Sequence, residues 1–204
     1  YDLSQPQAVY VQAVPNYFGD YQIRCNGESS GSWTSVNNSM TNITYHWTGP
    51  NGFDTTFTNP QRFNYQDSLI AGRYTLQYTD IAGCAGTFIL DMNQPDPLAI
   101  VIATVSDYHD PYNVSCHGSQ DGSITLNTIQ GGHNSRGYWF DWSVISGSSI
   151  ADTSARNQTG LGAGIYSVMV SDTFNCTTTA NFELTQPDEL TLLPELSESL
   201  SGEH

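Results

Sequence analysis

Hydrophobic and polar positions alternate along this chain with a period of two. Ala8-Val9-Tyr10-Val11, Tyr21-Gln22-Ile23-Arg24, Ile43-Thr44-Tyr45-His46-Trp47, Tyr74-Thr75-Leu76-Gln77-Tyr78 and Thr87-Phe88-Ile89-Leu90 are short and rich in β-branched and aromatic residues. Gly, Asn, Asp, Ser and Pro separate them. The pattern continues through Ile100-Val101-Ile102, Ser123-Ile124-Thr125-Leu126, Tyr138 to Trp142, Tyr166 to Val170 and Phe182-Glu183-Leu184. No segment has helical periodicity. About seven short strands in each half, with turn signals every 8 to 12 residues, predict an all-β protein built as immunoglobulin-like β-sandwiches.

The halves repeat each other. Cys25 recurs as Cys116, Gly72-Arg73-Tyr74 as Gly164-Ile165-Tyr166, Asp80 as Asp172, Cys84 as Cys176 and Gln94-Pro95-Asp96 as Gln186-Pro187-Asp188, each about 92 residues on. A period this long is the size of a domain with its own core, not of a solenoid unit. The boundaries expected are residues 1–94 for the first domain and 95–187 for the second. Residues 1–6 read as the tail of a preceding repeat, and 188–204 as the start of a further repeat or a disordered tail. The two prolines in Asn93-Gln94-Pro95-Asp96-Pro97 limit bending, so a semi-rigid rod cut from a longer array is expected. Residues two apart in a strand share a face. Tyr45 with Trp47 and Phe140 with Trp142 are therefore expected in the cores, as are Tyr74 and Tyr166.

Charge narrows the partners. The net charge is −15, lysine is absent, and the positive residues are Arg24, Arg62, Arg73, Arg136 and Arg156. Such a chain repels nucleic acid and anionic lipid. No run of 18 apolar residues exists to span a membrane. No signal peptide is visible, so either a leader has been removed or the sequence begins inside a longer protein. The cysteines number four, one matched pair per repeat, which predicts one disulfide in each domain, Cys25–Cys84 and Cys116–Cys176. Closing a loop of about 60 residues would add roughly 4 kcal/mol to each. Zinc is disfavoured because no two cysteines are near neighbours in sequence. Disulfides imply an oxidising compartment.

Several motifs together carry a family resemblance. They are Ser115-Cys116-His117-Gly118-Ser119-Gln120-Asp121-Gly122-Ser123, Tyr45-His46-Trp47-Thr48-Gly49-Pro50-Asn51-Gly52-Phe53, Ala163-Gly164-Ile165-Tyr166-Ser167-Val168, Asp80-Ile81-Ala82-Gly83-Cys84 and the closing Gln-Pro. The ordered set, present twice, resembles the SprB repeat of very large surface adhesins in Bacteroidota, including a gliding-motility adhesin. The resemblance implies sandwiches similar to polycystic-kidney-disease-type domains, export by the type IX route, an extracellular cell-surface location, and a role as stalk or adhesive filament. The first repeat departs from it, with Gly27-Glu28-Ser29-Ser30-Gly31 where the second has Gly118-Ser119-Gln120-Asp121-Gly122.

Candidate chemistry is sparse. Gly27-Glu28-Ser29-Ser30-Gly31 fits the G-x-S-x-G nucleophile elbow, but that motif needs a strand-to-helix turn on a parallel sheet, and a polar loop is the preferred reading. Asp107, Asp110, His109 and His117 form the densest polar cluster. Calcium is the ion its carboxylates suit, but no twelve-residue calcium loop is present, so a solvated loop is preferred and no cofactor is expected. Trp139 alternates with Phe140 and Trp142, and Tyr108 and Tyr112 fall in loops. Such rings suit sugar stacking or contact with neighbouring repeats as well as ordinary packing. The sequons at Asn37, Asn42, Asn113, Asn157 and Asn175 carry little weight in a bacterial export route. Asp54-Thr55-Thr56 and Asp67-Ser68-Leu69 fit a Bacteroidota O-glycosylation pattern, making Thr55 and Ser68 candidate acceptors. The expected function is a non-enzymatic adhesin segment touching neighbouring repeats and surface polysaccharide. The alternative is a carbohydrate-binding or spacer module of a secreted polysaccharide-degrading enzyme.

Overall fold

A computed structural model describes residues 9–38, 42–59 and 63–192. The expectations for residues 1–6 and for the tail from 193 onward lie outside the described residues. Seven strands form in the first half: β1 Val11–Pro15, β2 Gly31–Asn37, β3 Ile43–Thr48, β4 Asp54–Asn59, β5 Phe63–Leu69, β6 Gly72–Asp80 and β7 Ala85–Met92. They make two sheets, ordered β1-β2-β5 and β4-β3-β6-β7, with antiparallel pairing such as Trp33↔Gln66, Trp47↔Leu76 and Tyr74↔Leu90.

The pleat decides which residues meet. Val11, Ala13, Trp33 and Ser35 turn inward from one sheet, and Ile43, Tyr45, Trp47, Tyr74 and Leu76 from the other. Trp33 on β2 stacks on Trp47 of β3 with ring centroids 4.5 Å apart, and meets Tyr74 of β6 edge-on at 4.9 Å. The Asn37 amide donates to the buried Tyr45 hydroxyl across the sheets at 2.7 Å. Burial pushes the phenols of Tyr45 and Tyr74 up.

The second half adds β8 Ala99–Val105, β9 Gly122–Gln130, β10 Trp139–Ser146, β11 Gln158–Leu161, β12 Gly164–Ser171 and β13 Thr177–Leu184, in sheets ordered β11-β9-β8 and β10-β12-β13. The fold is all-β, two tandem immunoglobulin-like β-sandwich domains. By compactness the chain divides into one unit of Tyr1–Val101, Ile129–Trp139 and Val170–Thr178, and another of Ile102–Thr128, Phe140–Met169 and Thr179–His204. The first unit thus holds the whole of the first repeat together with residues 95–101, 129–139 and 170–178. The second unit's core includes Val114, Ile124, Leu126, Trp142, Leu161 and Tyr166, and the Trp142 indole donates to the Ala155 carbonyl at 2.9 Å.

Tyr74, the third residue of β6, donates its hydroxyl to the Ile70 carbonyl at 3.1 Å; Tyr166 on β12 donates to the Gly162 carbonyl at 2.9 Å. In both, a buried ring near the start of a strand ties back four residues, the tyrosine-corner arrangement of immunoglobulin-type sandwiches. Tyr74→Phe keeps the ring and removes the bond. It is expected to lower stability by about 1 kcal/mol in urea titration without changing the slope.

One expected strand is a loop. At Tyr21–Arg24 the amides of Gln22 and Ile23 both donate to the Asn93 carbonyl, at 3.1 and 3.0 Å, and the Gln22 side chain accepts from the Asn93 amide at 2.8 Å. The alternation there marks Ile23, fully buried, as a plug in the core. It does not mark a ladder.

Candidate functional site

Cys25 lies between β1 and β2 in a loop whose form is fixed by its neighbours. Gly27, at φ 77°, turns the chain, and the Glu28 amide donates back to the Cys25 carbonyl at 3.1 Å. The Gln94 side chain accepts from the Gly27 amide at 2.9 Å, and the Asn26 side chain donates to the Pro95 carbonyl at 2.9 Å. The Ser30 hydroxyl accepts from the Arg24 amide at 2.8 Å. The Arg24 guanidinium donates to both Glu28 oxygens, at 3.1 and 2.9 Å, and holds that carboxyl below its usual range. The pair is exposed, so its contribution to stability is small.

Cys176 closes a turn between β12 and β13. The buried Asp172 carboxylate organises it: one oxygen accepts from the amides of Phe174 and Cys176, at 2.8 and 2.9 Å, and the other from the His133 amide at 2.7 Å. Three N–H donors meet the desolvation cost of this charge. Asn175 supplies the positive φ that the turn requires, 63°. Within the first compact unit this turn lies against the Cys25 loop. His133 Nε2 is 2.7 Å from the Arg24 carbonyl, which accepts, so that nitrogen carries the proton. Its ring packs between Phe174 at 4.4 Å and Tyr21 at 5.3 Å, and Phe18 meets Phe174 at 5.9 Å.

The sulfur pairing differs from the one spacing predicted. Cys25 is bonded to Cys176, with Cα atoms 5.5 Å apart and a sequence separation of 151, and Cys84 and Cys116 are free and exposed. Strand direction is the reason. The Cys25 loop is hydrogen-bonded to Asn93, at the end of the β6–β7 pair where Gly72 faces Met92. Cys84 sits at the opposite end, beyond the Thr79↔Ala85 pair. Eight residue steps along β6 span roughly 26 Å, and a disulfide needs Cα atoms within about 7 Å. Cys25 and Cys84 therefore cannot bond within one sandwich. In the second repeat, β13 likewise separates Cys176 from Thr185, whose carbonyl accepts from Asn113 and Val114 beside Cys116.

His133, Asp172 and Cys176 bring their ligand atoms within 4.8 Å of one another, a metal-like grouping. Its chemistry is already committed to structure. The sulfur is oxidised and offers no thiolate, and both carboxylate oxygens accept backbone amides.

The remaining candidates are dispersed. No known family model matches the chain, and no curated protein matches it. Among solved structures, a segment of two fibronectin type III domains from chicken tenascin is similar over 78% of this chain and 95% of its own, at 9% identity and a TM-score of 0.30.

Trp139, at the start of β10, is half exposed. Tyr108 is also half exposed and donates to the Asp121 carbonyl at 2.9 Å, and it lines a shallow cleft with Tyr112, His109 and Pro187. Asp107 and Asp110 are exposed, and among the described residues they join no third metal-ligating side chain. Thr55 is partly buried on β4 opposite Trp47, while Ser68 is exposed and donates to the Asp67 carboxylate at 3.2 Å. Ser29 is exposed in the loop before β2, where a strand follows rather than a helix. The departure between the repeats turns out conservative. Asp121 accepts from the Ser115 amide at 3.1 Å as Ser30 accepts from Arg24, and the Ser115 hydroxyl and amide hold its carboxyl low. Sequence reasoning missed His133, which nothing in the repeat pattern flags, and the work of Gln94 and Gln186, which it registered only as landmarks.

Proposed function

We propose that this chain is a non-catalytic repeat segment of a large secreted surface adhesin or filament of the SprB kind. It serves as a stalk and displays loops for weak, multivalent contact. The observation that carries this reading is the Cys25–Cys176 bond, which ties a loop of the first sequence repeat to a turn of the second. A covalent tie between successive repeats suits an element that bears load. Such a bond persists in an oxidising compartment, and among the described residues no helix is long and apolar enough to cross a membrane.

Affinity electrophoresis over a panel of polysaccharides tests the proposal. The stalk reading expects at most slight retardation by every polymer. Strong retardation by one polymer, abolished by Trp139→Ala, would overturn it in favour of a carbohydrate-binding module, the reading that the half-exposed Trp139 supports.

A further inference from the structure

The two free cysteines occupy the same local structures as the two bonded ones. Around Cys116, Gly118 again has φ 77°, the Ser119 amide donates to the Cys116 carbonyl at 3.1 Å, and the Gly118 amide donates to Gln186 at 2.9 Å. These three features repeat those of the Cys25 loop. Around Cys84, the Asp80 carboxylate accepts from the amides of Ala82 and Cys84 at 2.9 and 2.8 Å, and Gly83 takes the positive φ, 86°. This is the Asp172–Cys176 turn without its partner. The clefts correspond as well. The one beside bonded Cys25 is lined by Asn26, Pro97 and Leu98 together with Asn175, Cys176 and Thr177 of the incoming turn. The one beside Cys116 is lined by the matching His117, Glu189 and Leu190, with Ser115 and Pro187, and among the described residues no cysteine turn lines it.

We propose that Cys116 and Cys84 are the two open halves of the bond that Cys25 and Cys176 close, and that each pairs with the complementary cysteine of another repeat of this kind. Cys116 takes the cysteine of an Asp-x-x-x-Cys turn, and Cys84 takes the cysteine of a loop held by Gln-Pro. The occupant is a further copy of the repeat, because the bonded pair shows what each half fits. The contact is heterologous, head to tail, so each copy keeps one open half of each kind for a further copy. The chemistry is thiol–disulfide exchange: two thiols and one glutathione disulfide give one protein disulfide and two glutathione thiols. This inference rests on the repeat reading and not on adhesion. Strong polysaccharide binding would sink the stalk and leave it standing.

The test uses two single variants of the full chain, Cys84→Ser, which keeps Cys116, and Cys116→Ser, which keeps Cys84. Both positions are exposed, and an intact Cys25–Cys176 bond, verified by non-reducing peptide mapping, shows that each variant has folded. In a glutathione redox buffer each variant alone is expected to stay monomeric. The mixture is expected to give a disulfide-linked dimer, at least about tenfold in excess over either self-dimer, with Cys116 joined to Cys84 by peptide mapping. The unmodified chain is expected to give a ladder of multimers. Self-dimers as abundant as the mixed dimer would mean indiscriminate oxidation and overturn the proposal, as would a mixture that forms no dimer.

Discussion

Cys176→Ser is expected to destabilise the protein strongly, while Cys84→Ser leaves its stability unchanged. The bond closes a loop of 151 residues, and restriction of the unfolded chain over that length is worth as much as about 5 kcal/mol in the chain-entropy treatment. The loss extends beyond entropy, because the sulfur link holds the Asp172 turn where His133 reaches the Arg24 carbonyl. Denaturant titration with and without reductant checks this. Reduction should move the unmodified protein to the midpoint of Cys176→Ser and leave that of Cys176→Ser itself nearly unmoved. Equal destabilisation by Cys84→Ser would mean that Cys84 is bonded after all. Pairing within each repeat would instead distribute the effect over all four cysteines.

Trp33→Ala is expected to cost about 3 to 5 kcal/mol, the range for truncating a buried large aromatic. Trp33 is 1% exposed and joins the sheets through Trp47, Phe53 and Tyr74, so the cavity opens where four rings meet. Trp47 and Tyr74 are held by β3 and β6 of the facing sheet and cannot collapse into the gap without moving that ladder. Trp139→Ala is the control. Trp139 is half exposed, and its loss should fall within about 0.5 kcal/mol of the unmodified protein. Urea titration followed by far-ultraviolet circular dichroism separates the two. A mild Trp33→Ala would show that the sandwich is packed less tightly than its aromatic geometry indicates.

The strands were legible where alternation coincided with β-branched and aromatic residues, as at Ile43–Trp47 and Tyr74–Tyr78. Gly31-Ser32-Trp33-Thr34-Ser35 hides β2, because small polar residues carry little strand signal even though Trp33 anchors the core. Tyr21–Arg24 shows the opposite failure, an alternating segment that buries Ile23 while its amides bond outside any ladder. The cysteine pairing was not readable from spacing, since a repeat spaces its cysteines alike whether each bonds within its own repeat or with the next. Strand parity carries the missing signal. Five strands, β2 to β6, run between Cys25 and Cys84, and an odd number of antiparallel crossings leaves the two at opposite ends of the sandwich. Reading that parity required β2, β4 and β5, strands that the pattern did not reveal. The aspartates that build the cysteine turns, Asp80 and Asp172, were legible as matched landmarks of the repeat. Their capture of the cysteine amides was not, because the sequence does not distinguish an Asx turn from a merely polar one.

Non-reducing peptide mapping of the oxidised protein, with free thiols alkylated before digestion, tests the central claim most directly. The account predicts one cross-linked species joining the Cys25 peptide to the Cys176 peptide, with Cys84 and Cys116 recovered as alkylated thiols or linked only to each other between chains. Cross-links of Cys25 to Cys84 and of Cys116 to Cys176 would contradict it, since each repeat would then be stapled on its own and nothing covalent would pass from one repeat to the next.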